Sequence, residues 1–182
     1  MACDFITKGR LVDCLKGMGG VKNIYIALYA DYGITEASGS IATVGSIAET
    51  FKWEFTGNLQ GLTETPTISW DTGNKFVTQV LTGTIPFQGA DTQNQLELMM
   101  INRMVVFVED YNDNIKAMGI QNSVKASSGS SATTGLAKGD LSGYTIELTA
   151  EEPRYAPFLS AAAKTALLAT VSEVVITNPP VV

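Results

Sequence analysis

The 182-residue sequence contains no histidine and only two cysteines. Without histidine, Ser-His-Asp and Cys-His nucleophilic mechanisms are excluded, and the commonest general base is missing. Cys3 and Cys14 lack the further cysteines or histidines that would complete a zinc site, so we expect two reduced, buried thiols. We therefore predict a protein that is not an enzyme, with no catalytic, cofactor-binding or metal-binding residues and no cofactor.

Charged residues are also scarce, at 16% of the chain against about a quarter in an average protein. The formal net charge is −6, and the lysines and arginines are scattered singly. Nucleic-acid clamps carry clustered basic residues that displace phosphate counterions, so this composition excludes a clamp but allows an acidic conduit for DNA. Because interface cores are depleted in charge, it also favours a subunit that buries several faces.

Long hydrophobic runs are missing as well. The first residues, MACDFITKGR, lack the apolar core of a secretory signal. The apolar C-terminal stretch is interrupted by Lys164 and Glu173 and is too short to cross a bilayer. We expect synthesis and folding in a cytoplasm and no membrane span.

The sequence does contain a series of strand patterns. Alternation of apolar and polar residues predicts strands at 51–56, 76–87 and 142–149, and β-rich runs predict others at 21–32 and 104–110. With 17 glycines to supply tight turns, these strands indicate a mainly β fold, either a β-sandwich or a β-barrel.

Two local signals refine this fold. The turn sequence at 71–74, Asp-Thr-Gly-Asn, lies between two strand patterns and predicts a long hairpin over 65–88. Capping-box spacing between Thr92 and Gln95 predicts one packed α-helix inside 90–103. Its apolar stripe consists of Leu96, Met99 and Met100.

The chain divides into three predicted parts. Residues 1–20 form an N-terminal arm and loop, residues 21–159 a β-sandwich or β-barrel domain, and residues 160–182 a C-terminal arm. Small residues at 33–48 indicate a weak strand or a loop. Pro153 and the final NPPVV favour irregular structure near the end of the chain.

Two loop motifs resemble ligand sites but are incomplete. The glycines of GMGG at 17–20 lack the lysine and hydroxyl residue of a phosphate-binding loop. In DYNDN, Asp110, Asn112 and Asn114 have the spacing that begins a calcium loop. The match ends there, because Ile115 and Gln121 stand where that loop requires glycine and glutamate. We interpret both motifs as turns.

Two further patterns favour structure over chemistry. The acidic doublets Glu109-Asp110 and Glu151-Glu152 lie in strands, where adjacent side chains point to opposite faces and cannot converge on one substrate. An alternating aromatic row is found more often in a core than stacked on bases or sugars. That row comprises Phe51, Trp53 and Phe55.

Three segments stand out: ITKGRLVDCLKGMGGVKNIYIALY, MVVFVEDYNDNIKAMGIQN and TGLAKGDLSGYTIELTAEEP. Together they resemble a family of virion structural proteins from tailed bacteriophages, and the similarity covers most of residues 4–160. The resemblance implies a tail-tube protein, a β-sandwich or barrel with one helix that forms hexameric rings stacked into a hollow tube. It also implies partners and a location: copies of itself, other tail or virion proteins, DNA as transient cargo in the lumen, and the virion after synthesis in the bacterial cytoplasm. The part from about Ser160 onward is additional to that family.

Alternative roles share this composition. Another virion part, such as a capsid decoration or tail-completion protein, would also self-associate, and a carbohydrate-binding adhesin module would use exposed aromatic residues. In the tail-tube interpretation, the hairpin over 65–88 joins strands of neighbouring subunits into one closed barrel. The two arms and residues 33–48 would then contact other subunits.

Overall fold

The computed structural model describes residues 10, 17–37, 39–55 and 60–176. Over these residues the chain is mainly β, as predicted. The strands are β1 (Val21–Leu28), β2 (Thr35–Ala37), β3 (Ser40–Thr43), β4 (Phe51–Glu54), β5 (Gly61–Ser69), β6 (Asn74–Pro86), β7 (Met104–Asp110), β8 (Ile115–Met118), β9 (Lys125–Ala126), β10 (Ser131–Thr133), β11 (Gly143–Glu152) and β12 (Phe158–Leu159). The helices are α1 (Ala90–Ile101) and α2 (Ala161–Leu168).

The strands form two open sheets. The larger sheet has seven strands in the order β2-β3-β12-β8-β7-β1-β4, and the smaller has the order β10-β11-β6-β5, with β9 also paired to β11. Neighbouring strands run antiparallel except β12 and β3, which are parallel. Each sheet therefore ends in strands with an unpaired edge among the described residues.

One core lies between the two sheets. Ile24 and Val106 from the larger sheet share a buried cluster with Leu81 and Leu148 from the smaller sheet, and Met99 of α1 closes one side of it. Strict alternation along β6 and β11 puts one face of the smaller sheet into this core. The opposite face of that sheet stays half-exposed.

A second core covers the other face of the larger sheet. Tyr25, Phe107 and Ile115 pack there against Ala163 and Leu167 of α2. Both faces of β7 are thus buried, which explains why its sequence is a nearly continuous apolar run without alternation.

The structure differs from two predictions: its described residues form two helices where one was expected, and the second lies inside the predicted C-terminal arm. Residues 161–168 form a second helix, whose start is capped by the Ser160 hydroxyl accepting from the Ala163 amide. Lys164 donates to the Asp113 carbonyl at 2.6 Å. The predicted boundary at 160 therefore cuts through the second core, because Ala163 and Leu167 of this helix are buried against the larger sheet.

Other local predictions have mixed outcomes. Helix α1 begins at Ala90, its N-cap residue is Gly89, and no side chain caps its first turn. Thr92 is buried inside that turn, so the predicted capping box is wrong. Residues 33–48 contain the short strands β2 and β3. Most of the predicted N-terminal arm, residues 1–9 and 11–16, lies outside the described residues, as does 177–182 of the C-terminal arm.

Candidate self-assembly surface

The hairpin formed by β5 and β6 extends past the rest of its sheet. Its turn lies where the sequence predicted it, and Gly73 there has φ 68°, the left-handed conformation that glycine adopts easily. Strand β11 pairs with β6 only from Val77 to Pro86. We call residues 65–76 the projecting tip. Residues 67–76 lie beyond the last pair between β6 and β11, and Thr65 and Pro66 lie beside that pair.

Polar contacts anchor the base of the tip. The Glu64 carboxylate accepts from the Lys116 ammonium group and from the Ala156 amide. On the neighbouring strand, Gln79 donates to the Arg154 carbonyl and accepts from the Gly119 amide, both at 3.3 Å. The chain from 153 to 157 crosses the hairpin at this level, so the hairpin is fixed below the tip.

The projecting tip exposes large apolar side chains. Ile68 is 57% exposed and Trp70 is 90% exposed. The strand register puts Pro66 opposite the buried Val77 and Ile68 opposite Lys75, so these side chains continue the core-facing side of the sheet. Scattered exposed apolar residues are ordinary, but an uncovered continuation of a core face indicates an interaction surface.

The outer face of the smaller sheet is open and mainly polar, with Phe76 and Val80 as its large apolar side chains. Its half-exposed or exposed positions alternate with the core positions of the same strands. We call it the threonine face after its members Thr63, Thr65, Thr67, Thr78, Thr82, Thr84, Thr145 and Thr149. The charged residues at sheet positions on this face are Glu147, Glu151 and Lys125. The described part of this face thus has no cluster of basic groups.

The sheet that carries this face has two free edges. Strand β5 forms one edge and β10 the other, and within the described residues neither has a further strand beside it. Unpaired edge strands present backbone donors and acceptors that another chain can pair with. Pro66 interrupts the donor row of β5, which leaves the Gly61 to Thr65 part with its amides intact.

The acidic motifs of the sequence hold the fold together. Burial raises the pKa of Asp110, but hydrogen bonds from Asn114 and Asn112 outweigh it and keep the pKa below its usual value. Glu109 is buried and accepts from Tyr25 at 2.8 Å. Both residues of this doublet are thus engaged within the fold, as a turn and core interpretation requires.

In the second doublet, only one of the two carboxylates is engaged within the fold. Glu151 is exposed on the threonine face, whereas Glu152 is buried and accepts from the amides of Gln121 and Asn122. The two carboxylates lie on opposite faces, as the sequence predicted. In the described parts of the chain, no group of three or more His, Cys, Asp and Glu side chains is arranged to hold a metal ion.

The aromatic row of β4 is only partly in the core. Phe55 is buried and Trp53 packs against the core between the sheets, but Phe51 is 46% exposed. The prediction of a core row is therefore wrong for Phe51, which lies on an edge strand. The most exposed tryptophan, Trp70, follows no alternation pattern that would reveal its exposure, because it lies in the hairpin turn.

Comparisons of the chain with protein-family models, with curated proteins and with solved structures found no match. Among the described residues, neither helix is long and apolar enough to cross a membrane. The functional inference below therefore starts from the projecting tip, the threonine face and the free sheet edges.

Proposed function

We propose that this protein is the tail-tube protein of a tailed bacteriophage, a non-enzymatic virion component that assembles with copies of itself into rings stacked as a hollow tube. The projecting tip carries the proposal. Ile68 and Trp70 stay in contact with water in a single chain, and burial of their exposed apolar area would stabilise an assembly by roughly 25 cal/mol per Å². A neighbouring copy is the simplest surface that could bury both.

The free edges support assembly in a closed ring. The two sheets share one core, as the sheets of a β-sandwich do, and among the described residues the smaller sheet has an unpaired strand at each side. Pairing the β5 edge of one copy with the β10 edge of the next would satisfy these backbone groups and extend the sheet around a channel. Rings of six subunits follow from the resemblance to tail-tube proteins.

The threonine face supports passage of DNA through such a channel. It carries hydroxyl groups, two glutamates and one lysine, with Phe76 and Val80 as its large apolar members, and it is the face of the smaller sheet not used by the core. DNA inside such a lumen would stay hydrated and would keep its condensed counterions. Without the release of those counterions, DNA would not be held in place. DNA is then transient cargo, and the lasting partners are other tail or virion proteins.

Electron microscopy of the purified protein tests the function. We expect negatively stained rings or hollow tubes at high protein concentration, because buried tips and paired edges favour closed or stacked assemblies. Isolated particles the size of one chain at every concentration would contradict the proposal. Globular shells or single rings that never stack would favour a capsid decoration or tail-completion protein.

Trp70 also favours a second candidate function, an adhesin module that binds carbohydrate. An exposed indole ring is the group on which sugar rings stack, and Trp70 is 90% exposed. In a Trp53→Phe variant, Trp70 is the one remaining tryptophan and reports on that site alone. A saturable fluorescence change with host polysaccharide would support the adhesin, and no change during normal tube formation would contradict it.

A further inference from the structure

An apolar cleft lies between α1 and the strands β9, β10 and β11. Its volume is about 310 Å³, near the lower limit for pockets that enclose a ligand. Its lining is mainly apolar, from Leu96, Met99, Met100, Tyr144 and Ile146. Among the described residues that line it, Glu97 alone is charged.

The cleft and the projecting tip lie at opposite ends of the same strand. Tyr144 and Ile146 pair with Ile85 and Gly83, near the Pro86 end of β6, whereas the tip lies at its Asn74 end. From Asn74 to Ile85 a strand spans about 36 Å at roughly 3.3 Å per residue. The tip of one chain therefore cannot reach the cleft of that same chain.

We propose that the projecting tip of one copy occupies this cleft in the next copy, with Trp70 in the apolar interior. This inference rests on the proposed self-assembly and specifies the contact that produces it. The cleft has room for one large side chain, and a tryptophan in a well-packed apolar pocket is the usual centre of a protein interface. The tip presents such a side chain.

Charge complementarity favours a second copy over an unrelated apolar occupant. Lys75 lies opposite Ile68 on the tip and has no ion-pair partner among the described residues. Glu97 at the cleft likewise forms no ion pair there and accepts only from Gln93 of its own helix, at 3.1 Å. Insertion of the tip brings an unpaired cation to an unpaired anion.

The contact is heterologous, since a tip meets a cleft and not another tip. Each copy gives its tip to one neighbour and receives the tip of another. Repetition of such a contact closes a ring or propagates a filament, whereas a symmetric contact stops at a dimer. Both outcomes agree with rings that stack.

A complementation experiment tests this contact. Trp70→Ala removes the tip anchor, and Met100→Arg blocks the cleft; both positions are well exposed, so both variants should fold. We expect each variant alone to associate at least about thirtyfold more weakly than wild type, as loss of an interface anchor requires. Mixed together, they should form a heterodimer that grows no further, because one intact tip meets one intact cleft.

Two exposed apolar residues outside the contact serve as controls. Ile101→Arg adds the same charge next to Met100 but does not line the cleft, and Leu136→Ala removes an exposed apolar side chain away from the tip. Both controls should assemble as wild type does in sedimentation velocity and electron microscopy. Weakened assembly in either control would show that any surface change has this effect and would overturn the assignment.

A charge exchange gives an independent test. Lys75→Glu and Glu97→Lys should each weaken association by about tenfold, through loss of the pair and repulsion between like charges. The double variant should return to within about threefold of wild type. If the double variant associates more weakly than either single variant, by the sum of their two effects, the result would contradict a contact between these residues.

The outcomes separate this inference from the function on which it rests. A wild-type protein that stays monomeric contradicts both. Normal tubes from Trp70→Ala and Met100→Arg would overturn the tip-in-cleft contact and leave the tube function standing. If both variants fail alone and do not complement each other, the contact is not heterologous and the inference is wrong.

Discussion

The ring of Phe55 packs over Gly83, where a Cβ atom on the glycine would lie 2.4 Å from Phe55 Cζ. Gly83 is a core position of β6, and its missing side chain provides the space that the ring fills between the two sheets. The end of β4 is thus fixed against the smaller sheet by one aromatic ring and one glycine.

Gly83→Ala should therefore destabilise the fold. The added methyl group must push the ring or the strand aside, which costs about 1–3 kcal/mol as for other overpacked cores. The control is Gly61→Ala in β5, where a Cβ atom would meet nothing within 4 Å, and which should be neutral or slightly stabilising. Urea denaturation measures both, and equal stability of the two variants would contradict the packing.

Leu167→Ala should show that α2 belongs to the folded core. Leu167 is fully buried against the larger sheet, and truncation of such a residue costs about 2–5 kcal/mol. Leu168→Ala, at the exposed next position, should cost less than about 1 kcal/mol. A chain ending at residue 159 should fail to fold cooperatively by circular dichroism, and a fully folded truncated chain would restore the interpretation of an arm.

Local patterns were sufficient for the elements that follow them. Alternation along 76–87 and 142–149 predicted β6 and β11 because one face of their sheet is buried and the other is open. The turn sequence at 71–74 predicted the hairpin. Helix α2 was missed because its alanine-rich pattern is weak and its burial depends on a distant sheet.

The candidate site was only partly predictable, for a related reason. The sequence predicts a long hairpin over 65–88, but where its tip becomes free depends on where β11 ends and where the chain crosses the hairpin at 153–157. The exposure of Trp70 and the cleft beside α1 result from these long-range packing relationships. Periodicity reports which face of a strand is apolar, not whether another element covers it.

Tyr25→Phe should change how stability depends on pH. Burial and the nearby Glu109 carboxylate, which accepts from the phenol, raise the pKa of Tyr25 above its ordinary value of about 10. The neutral phenol therefore stabilises the fold below pH 10, and this contribution is lost as the pH rises from there towards the higher folded-state pKa.

The variant should be about 1–2 kcal/mol less stable at pH 7, because Glu109 loses a buried donor. Its stability should then decline less steeply than that of wild type above pH 10. Tyr155→Phe, at an exposed tyrosine, is the matched control and should follow wild type. Parallel pH curves for Tyr25→Phe and wild type, from thermal melts between pH 7 and 11, would contradict this prediction.

Reversing a charge on the threonine face should make assembled tubes retain DNA. Glu151 lies exposed on that face opposite Thr78, so Glu151→Lys places one new cation per copy in the proposed lumen without disturbing the core. Each added phosphate contact contributes a slope of roughly −0.9 to the dependence of log affinity on log salt. We expect wild-type tubes to release double-stranded DNA, and variant tubes to hold it at low salt and release it at higher salt.

Glu173→Lys makes the same change in net charge at an exposed C-terminal position and should leave DNA release unchanged. If both variants retain DNA equally when free and enclosed DNA are separated by nuclease digestion, the threonine face does not line the channel.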